Sequence, residues 1–116
     1  MFRFDLATLD QRDVGDTLEA CRLIYDCVAG QHDNPLFAYL RGIFSDEADR
    51  RKAGAPGGEV EIVLPVSEAT GEHVLCFARL TLTAQKMCRP ALAEFYEAVF
   101  AEIESSMSRA ASAAMN

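Results

Sequence analysis

The stretch MCRPALAEFYEAVFAEIESSM, residues 87–107, decides the fold that we predict for this chain of 116 residues. Arg89-Pro90 predicts the start of a helix, because proline favours the first helical turn and restricts the residue before it. The apolar residues that follow recur with the period of about 3.6 residues that marks one helix face. They are Leu92, Phe95, Tyr96, Val99, Phe100, Ile103 and Met107. We therefore predict a long amphipathic C-terminal helix that packs on a sheet through this face.

Two antiparallel helices are predicted in the N-terminal half. The first runs from about Gln11 or Val14 to Ala29, and Asn34-Pro35 opens the second, since asparagine caps free amides and proline suits the first helical position. The short connection over residues 30–33 makes them neighbours. The candidate N-caps of the first helix are Thr8, Asp10 and Asp13.

A β-hairpin is predicted between these helices and the last one. Residues 59–66 alternate between polar and apolar side chains, residues 67–71 suit a turn, and residues 73–83 alternate again as a return strand. Residues 1–7 also alternate, and predict either a third strand or an extended arm. The fold class is therefore α+β, with a single domain over residues 1–107 and a frayed or disordered tail over residues 108–116.

The net charge limits the kinds of partner. The formal charge is −7, from 18 acidic and 11 basic residues. It opposes direct binding to nucleic acid or to an anionic membrane, and it favours a protein partner with a basic surface. The alternative interpretation is that the charge serves solubility alone.

Cysteine usage and the absence of long apolar runs predict the compartment. The four cysteines include no CxxC pair, and the sequence MFRFDLATLD lacks the apolar segment of a secretory signal. No apolar run reaches the roughly 18 residues of a membrane span. We predict a cytoplasmic protein with reduced thiols and no membrane association.

The candidate residues for chemistry have simpler interpretations. His32 lies near Cys27 in sequence, but a loop histidine and a buried helix cysteine are favoured over a catalytic couple. Cys21 and Cys27 are six residues apart, so about 120° separates them around a helix and they do not share a zinc ion. His73 has no recognisable partner at the start of its strand. We predict no cofactor and no metal.

The other polar clusters also receive structural interpretations. The glycines of residues 54–58 follow a helix and open a strand, the reverse of a phosphate-binding loop. Asp46, Glu47 and Asp49 are assigned to a solvated helix face, and residues 50–52 (Arg-Arg-Lys) to the charge complement of a helix C-terminus. Because no catalytic motif is found, we predict that the chain is not an enzyme.

The polar face of the last helix is the predicted partner-binding surface. None of its glutamates has a lysine or arginine four residues away in the helix. Their negative charges therefore repel one another without compensation. Two glutamates of the predicted hairpin extend the acidic surface. The predicted binding residues are Glu94, Glu97, Glu102, Glu104, Glu59 and Glu61. The alternative interpretation is a solvated face without a partner.

Three hypotheses of function follow. The first is a non-enzymatic acidic module that binds another protein, in its sharper form an inhibitor of a nucleic-acid-handling protein. Phage anti-defence proteins (anti-CRISPR-like), immunity proteins and antitoxins are inhibitors of that kind. The second is a homodimer that covers exposed apolar residues. The third is a secretion-chaperone-like adaptor, although the sequence shows fewer strands than such a protein would need.

Overall fold

The computed structural model describes residues 1–27 and 35–115, which contain four helices and one two-stranded antiparallel sheet. The predicted α+β class is confirmed. Contacts divide the chain into two units, Phe2–Val63 and Leu64–Asn116 with Met1. The predicted single domain over residues 1–107 stays a prediction. In chain order the elements are β1 (Phe2–Asp5), α1 (Gln11–Cys27), α2 (Pro35–Lys52), β2 (Glu59–Ile62), α3 (Gly71–Lys86) and α4 (Pro90–Met115).

The sheet of the first unit joins the two segments β1 and β2. Phe2 lies opposite Ile62 and Asp5 lies opposite Glu59 in an antiparallel register. The strand predicted over residues 59–66 is present but shorter, over Glu59–Ile62. Its partner is the N-terminal segment, for which the sequence predicted either a third strand or an extended arm. The buried side chains of Phe4 and Ile62 lie on the inner face, as the alternation predicted.

The predicted return strand over residues 73–83 is wrong, because this segment lies in helix α3. Its apolar residues form a nearly continuous run, which fits a helix and a strand equally well. The β-branched residues Thr81 and Thr83 favoured the strand. In the helix their hydroxyl groups donate hydrogen bonds to the carbonyl oxygens of Phe77 and Arg79, at 2.7 and 2.9 Å. The predicted hairpin is therefore absent from the described residues.

The N-terminal helices begin where the capping residues predict. Asp10 and Asp13 each accept a hydrogen bond from the backbone N–H of the other, which forms a capping box at the start of α1. Helix α2 begins at Pro35. The predicted end of α1 at Ala29, the connection with His32 and the cap Asn34 lie outside the described residues. The guanidinium of Arg51, in the last turn of α2, donates to the carbonyl oxygens of Leu6 and Leu9 before α1 begins. This contact brings the end of α2 to the start of α1, and the antiparallel arrangement of the two helices stays a prediction.

Helix α4 buries its predicted apolar face in the second unit. Leu92, Phe95, Tyr96, Val99 and Ile103 are all buried, and the ring centroids of Phe77 and Tyr96 lie 6.3 Å apart between α3 and α4. Within its unit α4 therefore packs against the segment that was predicted as a strand. The helix continues to Met115, so residues 108–115, for which the sequence predicted fraying, are helical in this structure.

The turn between α3 and α4 carries a cysteine in a conformation that normally favours glycine. Cys88 has φ +57°, its N–H donates to the carbonyl of Gln85, and the N–H of Arg89 donates to that of Ala84. These two bonds define a Schellman motif. Helix α2 ends with the same bonding pattern, but there Gly54, with φ +76°, occupies the left-handed position.

Replacing Cys88 with glycine is expected to raise the free energy of unfolding by about 1 kcal/mol, because the left-handed conformation strains a residue with a Cβ. The cysteine side chain is exposed, so little packing is lost. Urea unfolding followed by circular dichroism measures the change. Gly54→Ala is the matched control and should lower stability by a similar amount. A Cys88→Gly variant that is less stable than the native chain would contradict the assignment.

Candidate functional site

The outer face of α4 presents the predicted glutamates to solvent. Glu94, Glu97 and Glu104 are exposed, and none of them forms a salt bridge with any described residue. Glu102 is only half-exposed, and its carboxylate lies 2.6 Å from the amino nitrogen of Met1. The first three therefore form a row of uncompensated charges, which we call the acidic row. Glu102 does not belong to it.

The other two predicted glutamates lie on the sheet of the first unit. Glu59 and Glu61 are exposed, and the register puts Arg3 directly opposite Glu61. The guanidinium of Arg3 also lies 3.5 Å from the carboxylate of Glu59. Because Arg3 pairs with Glu59, the negative charge on this sheet is partly balanced. These two glutamates belong to the first unit, whereas the acidic row belongs to the second.

A groove lies between α1 and α2 in the first unit. Its volume is about 540 Å³, and small residues such as Gly15, Ala38 and Gly42 contribute much of its lining. The charged pair at its edge, Glu19 and Arg22, is 2.6 Å apart. A hydrogen bond from Arg22, together with its charge, lowers the pKa of Glu19. The groove is open, and this carboxylate is already engaged, so we assign no chemistry to it.

Glu47 corrects the prediction that residues 46–49 lie on a solvated helix face. Its side chain is 0% exposed, and its carboxylate accepts hydrogen bonds from Arg51 Nε at 3.0 Å and from the N–H of Gly57 at 3.0 and 3.1 Å. Arg50 lies 3.8 Å away. We call Glu47, Arg51 and Gly57 the Glu47 cluster. It ties the end of α2 to the glycine loop of residues 54–58.

The Glu47 cluster is a structural site. A catalytic carboxylate needs access to a substrate, whereas this one is enclosed and its oxygens already accept bonds from the chain itself. The sequence carried a signal for it, since Glu47 follows Leu36, Leu40 and Phe44 by 11, 7 and 3 residues. It therefore continues the buried stripe of α2, and Arg51 follows four residues later as a partner.

His73 also has a structural role, which corrects its assignment to a strand without a partner. It is 3% exposed, and its Nδ1 accepts a hydrogen bond from the N–H of Thr70 at 2.8 Å. The two residues form a capping box at the start of α3. Burial lowers the pKa of His73, and the nearby charge of Glu72 opposes this change.

Acid is expected to destabilise the chain through His73. Its folded pKa lies below the ordinary value of 6.5, so the unfolded state takes up more protons once the pH falls below that value. Its stabilising contribution is complete above pH 6.5 and declines as the pH falls toward the lowered folded pKa. His73→Gln keeps a side-chain acceptor for the Thr70 N–H but has no imidazole that takes up a proton, so this variant should lose less stability on acidification.

Urea unfolding between about pH 7.5 and pH 5.5 measures this loss, because histidine titrates in that range. His32→Gln is the matched control, since it removes the other histidine of the chain. The prediction is contradicted if His73→Gln keeps the full pH dependence while His32→Gln removes it.

The described residues hold no group of three or more histidine, cysteine, aspartate or glutamate side chains placed to bind a metal ion. Cys76 and Cys88 are free thiols, and burial raises the pKa of Cys76, with the charge of Arg79 in opposition. A raised pKa disfavours the reactive thiolate. In the parts of the chain that the structure describes, every helix is too short or too polar to cross a bilayer.

Comparison with known proteins gives no family. No protein-family model matches the chain, and neither the curated proteins nor the solved structures give a match.

Proposed function

We propose that the chain is a non-enzymatic acidic module that binds a partner protein through a basic surface of that partner. The observation that carries this proposal is the acidic row of Glu94, Glu97 and Glu104 on α4. These carboxylates are exposed and have no salt bridge among the described residues. Their mutual repulsion mildly destabilises the helix, and a basic partner would remove it.

Several carboxylates of the first unit, in contrast, form ion pairs with a basic residue nearby in the sequence. Asp16 pairs with Arg12, Glu19 with Arg22, and Glu47 with Arg51. In each of these pairs the basic residue lies within about one helical turn of the carboxylate. On α4 the acidic row has no such balance, so its field is available to steer and orient a cationic surface.

The sharper form of the proposal is an inhibitor of a nucleic-acid-handling protein. The grooves that bind nucleic acid are basic because they neutralise phosphates, and an acidic helix face can occupy the same groove. The row extends from Glu94 to Glu104, about 15 Å along the helix at a rise of roughly 1.5 Å per residue. The chain's net charge of −7 supports this form. The proposal places the chain in the cytoplasm, where free thiols stay reduced.

Charge reversal tests the proposal. The native chain, Glu94→Lys/Glu97→Lys and Asp46→Lys/Asp49→Lys are used to capture proteins from the native host. Both variants change the charge equally at two exposed positions three residues apart. We expect a basic partner to be lost with the α4 variant and kept with the α2 control, and its binding should weaken as salt is raised. If the α4 variant captures the same partner proteins as the native chain, the proposal is refuted.

The inhibitor form has its own test. The captured partner's binding to nucleic acid is measured with the native chain and with each variant. Competition by the native chain and by the α2 control, but not by the α4 variant, is the expected result. A partner that binds the native chain and nucleic acid at the same time would rule out the inhibitor form, while binding to a basic surface would stand.

A homodimer is the second candidate, and a specific observation favours it. Leu75 and Leu82 on α3 are 53% and 55% exposed, which is high for large apolar side chains on one helix. Light scattering at increasing concentration tests it. A mass that stays monomeric at high concentration rules out self-association.

A further inference from the structure

An apolar groove runs between α3 and α4 on the surface of the second unit. Its volume is about 300 Å³, and its lining is Ala78, Thr81, Leu82, Gln85, Glu97 and Phe100. Phe100 is partly exposed, although the other large apolar residues that precede it in the α4 stripe are buried. Leu82 stands on the α3 side of the groove and is 55% exposed. Two large apolar side chains thus border one opening.

Two members of the acidic row flank Phe100. Glu97 precedes it by three residues and Glu104 follows it by four, and these spacings put all three side chains on the same side of α4. Neither carboxylate has a salt bridge with a described residue. The groove therefore combines an apolar contact point with negative charge on both sides along the helix.

We propose that this groove binds an amphipathic basic helix of the partner protein. An apolar side chain of that helix lies between Leu82 and Phe100, and lysine or arginine side chains contact Glu97 and Glu104. The proposal rests on the proposed function and specifies which structural element of the partner protein is bound. A groove between two packed helices accepts a third helix along its length, and such helices are recognised by apolar anchors one turn apart.

Charge complementarity selects this occupant over a second copy of the chain. In a symmetric dimer the same surface meets itself, so the groove of one copy would bring its Glu97 and Glu104 against those of the other. A basic helix instead pairs both carboxylates. The exposed basic residues of α3, Arg79 and Lys86, are absent from the lining of the groove and do not neutralise it.

A synthetic peptide tests the proposal. The probe is a leucine–lysine amphipathic helix with a fluorescent label, and its control is the same peptide with glutamate in place of lysine. Anisotropy should show binding of the lysine peptide alone. Leu82→Ser should weaken binding by about tenfold, which corresponds to about 1.4 kcal/mol, because the apolar side chain of the peptide loses its contact with the leucine. Leu75→Ser is the matched control, because Leu75 is equally exposed but lies outside the groove lining.

The charge variant completes the test. Glu97→Gln/Glu104→Gln should weaken binding and reduce its dependence on salt. If Glu97→Gln/Glu104→Gln weakens binding of the peptide while Leu82→Ser and Leu75→Ser change it equally, binding in the groove is refuted. The acidic surface of the proposed function then stands. If neither change affects binding, or the glutamate peptide binds equally well, both proposals fail. A dimer in light scattering that Leu82→Ser abolishes would assign the groove to self-association and overturn the proposal.

Discussion

Glu47→Ala is expected to lower the free energy of unfolding by about 3–5 kcal/mol, since removal of one partner from a buried ion pair leaves the other charge uncompensated. Arg51 would keep its guanidinium beside the carbonyl oxygens of Leu6 and Leu9 but lose its carboxylate. The N–H of Gly57 would lose its acceptor. A small domain has a total stability of about 5–15 kcal/mol, so the loss is a large part of it.

The Glu47→Gln variant removes the negative charge of the side chain while it keeps nearly the same shape. Glutamine keeps one oxygen that can accept from the Gly57 N–H, but its amide group cannot balance the charge of Arg51. Its destabilisation should therefore fall between those of the native chain and Glu47→Ala.

Urea unfolding followed by circular dichroism measures all the variants. Asp49→Ala is the control, because Asp49 is an exposed carboxylate two residues further along the same helix. A surface substitution of this kind changes stability by about 0.5 kcal/mol or less. If Glu47→Ala is no more destabilising than Asp49→Ala, the buried cluster contributes nothing to stability and our account of it is wrong.

The sequence predicts α4 well and α3 poorly, for a physical reason. In α4 the apolar residues keep helical spacing from Leu92 to Ile103 and glutamates fill the opposite face, so only one period fits. In α3 the apolar residues form a nearly continuous run that fits either period, and the threonines favour a strand. The deciding features are local bonds, namely the cap between Thr70 and His73 and the bonds of the threonine hydroxyls to the preceding turn.

The candidate site, too, could be predicted from the sequence only in part. The exposure of Glu94, Glu97 and Glu104 could be predicted from the helical period of α4. The groove beside them could not, because the sequence placed Leu82 on the face of a strand, and only a helix brings it beside Glu97 and Phe100. Because α3 was predicted as a strand, the sequence predicted the charged residues of this surface but not the apolar residues beside them.

Gly57→Ala is expected to lower the free energy of unfolding by about 1–3 kcal/mol, the usual cost of inserting a methyl group into filled space. A Cβ at this position would lie 2.6 Å from Oε2 of Glu47 and 3.2 Å from a guanidinium nitrogen of Arg50. A flexible surface glutamate would move aside. Glu47 cannot do so freely, because bonds from Arg51 and from the Gly57 N–H hold it in place.

The two predictions can be tested against each other in a double-mutant cycle. Once Glu47→Ala has removed the carboxylate that the new methyl group would meet most closely, Gly57→Ala should cost little or even stabilise the chain through the unfolded state. Gly58→Ala is the control, since a Cβ there meets no atom within 4 Å, and it should act alike in both backgrounds. If Gly57→Ala costs the same with and without Glu47, the strain lies in the backbone of the loop rather than in contact with the carboxylate. The presence of glycine at this position would then have to be explained without the Glu47 cluster.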